Sequence, residues 1–162
     1  MIFGKNHDDS GHPLTINGMS IDFAKEWKYL GTTLVAGKKF SFSARNDLSS
    51  FFRAANSVIN VLKDAHEHVL LTLLYTNCIP ILTYACSVKE YSATEMSNCN
   101  VAINNVFQKI FGFTRWESIR VLRQQFDLKS FYEIFKRAQD KFTATCLAHS
   151  NPIVSLLART EF

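Results

Sequence analysis

The sequence is short of the residues that break or pin a chain. It has six glycines and three prolines in 162 residues, too few for a collagen-like or low-complexity polymer. Its four cysteines, Cys78, Cys86, Cys99 and Cys146, include no CxxC pair. The spacing therefore points to free buried thiols of a reducing compartment rather than to a zinc ribbon. No glycine-rich phosphate loop, HExxH pair or GxSxG elbow occurs, so the standard local signatures of nucleotide, zinc-protease and serine-hydrolase chemistry are missing. The first thirteen residues, MIFGKNHDDSGHP, lack the basic and then apolar order of a secretion signal. One charge-free run exists, Val69–Ser87. It is just long enough to span a bilayer, but it contains Asn77 and Pro80 and has no positive bias at its flanks. It reads as a helix covered on all faces, with a membrane span as the alternative.

What is present is apolar and aromatic. Apolar residues make up 47% of the chain and fourteen are phenylalanine, enough to fill the interior of one domain. The net charge of +4 is unevenly placed. Residues 38–63 hold five basic groups against one acid, and residues 109–141 hold eight against four. The segment between them holds one basic group against four acids. Basic stretches suit polyanions, above all nucleic acid, and equally form ordinary solvated helix faces.

Period and punctuation divide the chain. LTINGMSI, Leu14–Ile21, places Asn-Gly between alternating arms and predicts a hairpin. KEWKYLGTTL, Lys25–Leu34, reads as a strand that passes through Gly31, with Trp27, Tyr29 and Leu34 on a shared buried face. Glycine inside a strand marks a bulge or a close approach to the backbone. From Ser41 the apolar residues Leu48, Phe51, Phe52, Ala55, Val58, Ile59 and Leu62 recur at helical spacing, with Ser41 or Ser43 as cap. Arg45, Ser49, Arg53, Asn56, Asn60 and Lys63 fall on the opposite face. Further helices are predicted over about 66–87 with a kink or break near Asn77, from the Ser92–Glu95 capping box to Gly112, over 116–125, over 129–149, and from Asn151–Pro152 to Ala158. The fold expected is α+β: a small N-terminal antiparallel sheet, then a five- or six-helix bundle. Asp8-Asp9 is the one tempting carboxylate pair; it reads as a solvated turn, with a magnesium site as the alternative.

The order of these segments resembles the downstream part of the reverse transcriptase of non-LTR, LINE-type, jockey-like retrotransposons. The resemblance rests on Tyr29-Leu30-Gly31 and on Leu73-Leu74-Tyr75 with Ile79-Pro80-Ile81-Leu82-Thr83-Tyr84, and covers roughly residues 1–126. It implies three parts: a primer-grip-like hairpin at the end of a polymerase palm (1–37), a helical thumb (38–126) and a C-terminal helical extension (127–162). It places Met1 within the palm's last strand. The family's aromatic-x-Asp-Asp motif is missing, because Asp8-Asp9 follows Asn6-His7. No catalytic residue, cofactor or metal is therefore assigned; magnesium would belong to the missing palm. The chain is expected not to polymerise alone. It is expected to act inside the cell, off the membrane, binding an RNA–DNA or DNA duplex, with the missing palm and fingers as a further partner in a longer chain. The contact residues implied are Lys28, Tyr29, Gly31, Lys38, Lys39, Arg45, Arg53 and Lys63. Trp27 and Leu34 are expected to pack the hairpin onto the helices. The alternative is a helical protein-interaction module or a retroelement remnant.

Overall fold

The computed structural model describes residues 1–5, 14–87, 89–114 and 116–161, with only the backbone of Thr160 and Glu161. The architecture is α+β: two small antiparallel sheets, then a helical bundle. Strands β1 (Leu14–Ile16) and β2 (Met19–Ile21) form the predicted hairpin. Asn17 and Gly18 both have positive φ, 51° and 78°, as a type I′ turn requires. Leu14 faces Ile21 and Ile16 faces Met19, so these four apolar side chains share one face, and all four are exposed.

Strands β3 (Glu26–Tyr29), β4 (Thr32–Val35) and β5 (Ser41–Ser43) form a meander in the order β3-β4-β5. This corrects two expectations. KEWKYLGTTL is two strands, because Leu30 (φ 45°) and Gly31 (φ 79°) turn the chain back and Tyr29 pairs with Thr32. Leucine is a costly residue in the left-handed region, by about 1–2 kcal/mol, so sequence gave no reason to place a turn there. The turn is held from outside: Tyr84 Oη donates to the Leu30 carbonyl (3.1 Å), and Thr32 Oγ1 donates to the Tyr29 carbonyl (2.9 Å). Residues 41–43, expected to open the first helix, instead pair with β4. The helix then has Ala44 at its N-cap, whose N–H reaches Glu95 Oε1 at 3.2 Å.

Helix α1 (Arg45–Val61) buries Phe51 and Ala55. The apolar run then forms α2 (Glu67–Leu73), a π-helical turn (Leu74–Cys78) and α3 (Ile79–Thr83). Pro80 has no N–H to continue the α ladder, and the chain widens in the turn just before it. No helix among the described residues is long and apolar enough to cross a membrane. Helix α4 (Ala93–Ile110) starts at the predicted Ser92–Glu95 capping box and stops at Gly112, φ 68°. Helix α5 (Arg120–Gln125) begins later than expected, leaving Trp116 outside it and 90% exposed. Helix α6 (Phe131–Leu147) has a capping box of its own, Ser130–Glu133. Helix α7 (Pro152–Glu161) starts where Asn151 Oδ1 accepts from the Ile153 N–H at 2.9 Å. The core lies among α1, the α2–α3 segment, α4 and the start of α6, centred on Phe51, Leu74, Ile103, Phe107 and Phe131.

Candidate nucleic-acid interface

Helix α1 is amphipathic: Phe51 and Ala55 are buried against the bundle, while one polar stripe is left towards solvent. Arg45, Ser49, Arg53 and Asn60 are exposed, as is Lys63 just past its end. Among the described residues, no carboxylate pairs with Arg45, Arg53 or Lys63. The one acid in this stretch, Asp47, is turned inward. Its Oδ2 lies 2.8 Å from Lys89 Nζ, and Lys89 is only 1% exposed. A buried carboxylate would be costly unpaired; here Lys89 neutralises it. The outer face therefore keeps its positive charge. At 1.5 Å per residue, seventeen residues extend about 25 Å, or about seven base pairs of duplex.

A fourth cation joins this face from outside the helix. Lys109 Nζ donates to Asn56 Oδ1 at 2.8 Å. With Ala44 held by Glu95 at the start of α4, this bond shows that α1 and α4 run parallel. Lys109 is not among the contact residues that the resemblance implies. The only signal for it was its place at the head of the second basic stretch. The rest of that stretch is partly absorbed by the fold. Arg123 Nη2 donates to Asn104 Oδ1 (2.5 Å) and Asn100 Oδ1 (3.3 Å). Lys129 pairs with Asp127 at 2.7 Å.

Beside the first turns of α1 lies a cleft of about 370 Å³ lined by Lys28, Gly31, Asn46, Asp47, Ser50, Pro80, Ile81 and Tyr84. It brings together the two segments on which the family resemblance rests. The Tyr84 ring approaches Gly31 so closely that a Cβ there would stand 3.3 Å from Tyr84 Cε1. The close approach that Gly31 permits is made by the protein itself. Lys28 shares this cleft and is exposed. Its cross-strand partner Thr33 accepts a hydrogen bond from Asn46 Nδ2 at 2.9 Å.

The remaining expected contact residues are elsewhere. Tyr29 lies on the opposite face of the sheet from Lys28. Lys38 and Lys39 sit exposed in the β4–β5 connection. The expectation of a buried Trp27–Tyr29–Leu34 face is overturned: Trp27 is 61% and Tyr29 59% exposed, and Leu34 is half-buried. Asn46 of α1 meets the sheet on its Lys28–Thr33 side, and on the other side Trp27 and Tyr29 face out, with Thr32 buried beside them.

Asp8 and Asp9 lie outside the described residues. Among the described residues no group of three or more His, Cys, Asp or Glu side chains is placed to hold a metal. Cys78, Cys86 and Cys99 are buried free thiols and Cys146 is half-buried. Burial, with the Asp47 and Glu95 charges nearby, pushes the Cys99 thiol up to about 12, which makes it a poor nucleophile. No family model, curated protein or solved structure matches the chain.

Proposed function

We propose that the chain grips the backbone of an RNA–DNA or DNA duplex through the outer face of α1, as a thumb-like piece of a non-LTR reverse transcriptase. The observation that carries this reading is the line Arg45, Arg53, Lys63. These three cations face solvent with no carboxylate partner among the described residues, while the only acid of the stretch is neutralised inside. Backbone cations of this kind bind without regard to sequence and release counterions as they do so. The contact between Tyr84 and the Leu30–Gly31 turn supports the family part of the reading, since it joins the two segments that carry the resemblance. Without palm carboxylates the chain holds nucleic acid and does not extend it. Retention on an RNA–DNA duplex column at low salt, with release as salt rises, is the expected result; flow-through at low salt contradicts the proposal.

A second reading, a protein-interaction module, is favoured by the β1–β2 hairpin. Its apolar face, Leu14, Ile16, Met19 and Ile21, is exposed, and a lone two-stranded hairpin is marginal in water. Light scattering that shows self-association, with no duplex retention, would support it.

A further inference from the structure

The outer face of the β3-β4-β5 sheet is built for something other than the helices. Antiparallel partners share a face, so Trp27, Leu34 and Phe42 form one row across the three strands. Tyr29 extends the row along β3. Phe40 closes it, its ring 5.0 Å from Phe42 and 5.5 Å from Phe3. Trp27, Tyr29 and Phe40 are each more than half exposed, in a chain whose Phe51, Phe107 and Phe131 are wholly buried.

Cations gather at one end of this row. The Ala36 N–H donates to the Lys25 carbonyl at 2.8 Å. This extends the β3–β4 register, so Lys25, Trp27 and Tyr29 lie on one face at alternate positions. Lys38 and Lys39 immediately precede Phe40 in the connection that follows Ala36. Among the described residues none of the three lysines has an ion-pair partner. The residues of this face, Trp27, Tyr29, Leu34 and Phe42 with the buried Thr32, include no carboxylate.

Exposed aromatic rings with a one-signed basic end match single-stranded nucleic acid, whose bases present flat apolar faces and whose phosphates are anionic. A duplex buries its base faces and cannot use the rings. We infer that this sheet face is a stacking platform for unpaired nucleotides: Trp27, Tyr29 and Phe40 receive bases, and Lys25, Lys38 and Lys39 hold the phosphates. The choice of ligand rests on the nucleic-acid reading above, but the residues are separate from the α1 line.

The test uses the full chain with Trp116→Phe, which leaves Trp27 as the only tryptophan. Oligothymidylate is expected to quench Trp27 emission, and inorganic polyphosphate, a polyanion without bases, is not. By anisotropy of a labelled oligothymidylate, Tyr29→Ala and Phe40→Ala each weaken binding about tenfold. Replacing Lys25, Lys38 and Lys39 together by alanine lowers the salt slope by about two. All these side chains are exposed, and circular dichroism checks that the helices remain. Equal quenching by polyphosphate, or none by oligothymidylate, overturns the platform. So does an emission change that follows protein concentration and ignores the oligomer, which would assign the face to a second copy. If a duplex still binds through Arg45 and Arg53 while oligothymidylate leaves Trp27 unquenched, the platform fails and the duplex grip stands.

Discussion

The strands and the helices of this chain treat apolar side chains in opposite ways. Among the described residues before Ala44, only Thr32 and Thr33 are buried, and no hydrophobic side chain is. From Ala44 onward lies the entire buried apolar set. Stability therefore resides mainly in the bundle. The bundle is held by its own core, while the strands are held by hydrogen bonds, turns and a few contacts to α1 and Tyr84. The outward aromatic residues of the strands are thus free to meet a ligand, which is the basis of the platform.

Side-chain truncation separates the two regions most strongly. Phe107→Ala, in the bundle, should cost about 3–5 kcal/mol, and Trp27→Ala, on the sheet, no more than about 0.5 kcal/mol. Urea denaturation measures both, and equal losses would refute the division. Of similar size, Lys89→Ala leaves Asp47 nearly buried and unpaired, and should cost about 3–5 kcal/mol. The double change with Asp47→Ala should recover part of that loss, as read from the shift in melting temperature. Gly31→Ala is smaller, about 1–2 kcal/mol. The positive φ opposes any side chain, and the new methyl would crowd Tyr84. Tyr84→Ala in the same background should relieve the crowding but not the strain. Near neutral pH the last effect is silent, and it emerges only on the alkaline side. The Cys99 thiol is raised in the folded state to about 12, above its unfolded value. Its contribution is therefore full below the unfolded value near 9 and is lost as pH rises towards 12. Cys99→Ser should flatten the alkaline limb of a stability–pH curve.

Much of this fold could be read from the chain because its signals are local. Asn17-Gly18 specified a turn by its own backbone preference, and Ser92 with Glu95 specified a helix start. Pro80 disturbs the long apolar helix where its missing N–H predicts, as a π-helical turn over Leu74–Cys78 and not as a break. What stayed hidden depended on partners distant in sequence. Leu30 enters a left-handed turn under a hydrogen bond from Tyr84, fifty-four residues away. Ser41–Ser43 pairs with β4 against the helical period that follows it. The α1 line was legible because a helix displays its faces by period alone. Lys109, Lys89 and the outward turn of Trp27 were not, since each is fixed by which elements pack together. A strand's alternation shows that two faces differ, but not which of them the rest of the chain will cover.

The central claim is that α1 presents an uncompensated cationic line to a nucleic-acid backbone. The direct test is anisotropy of a labelled RNA–DNA duplex against the wild-type chain and the Arg45→Ala, Arg53→Ala, Lys63→Ala triple variant, at several salt concentrations. Wild-type binding is expected to weaken with salt, and the triple variant to show a slope of log affinity against log salt smaller by about three. Binding by the triple variant with unchanged affinity and slope would contradict it, as would no binding by either protein.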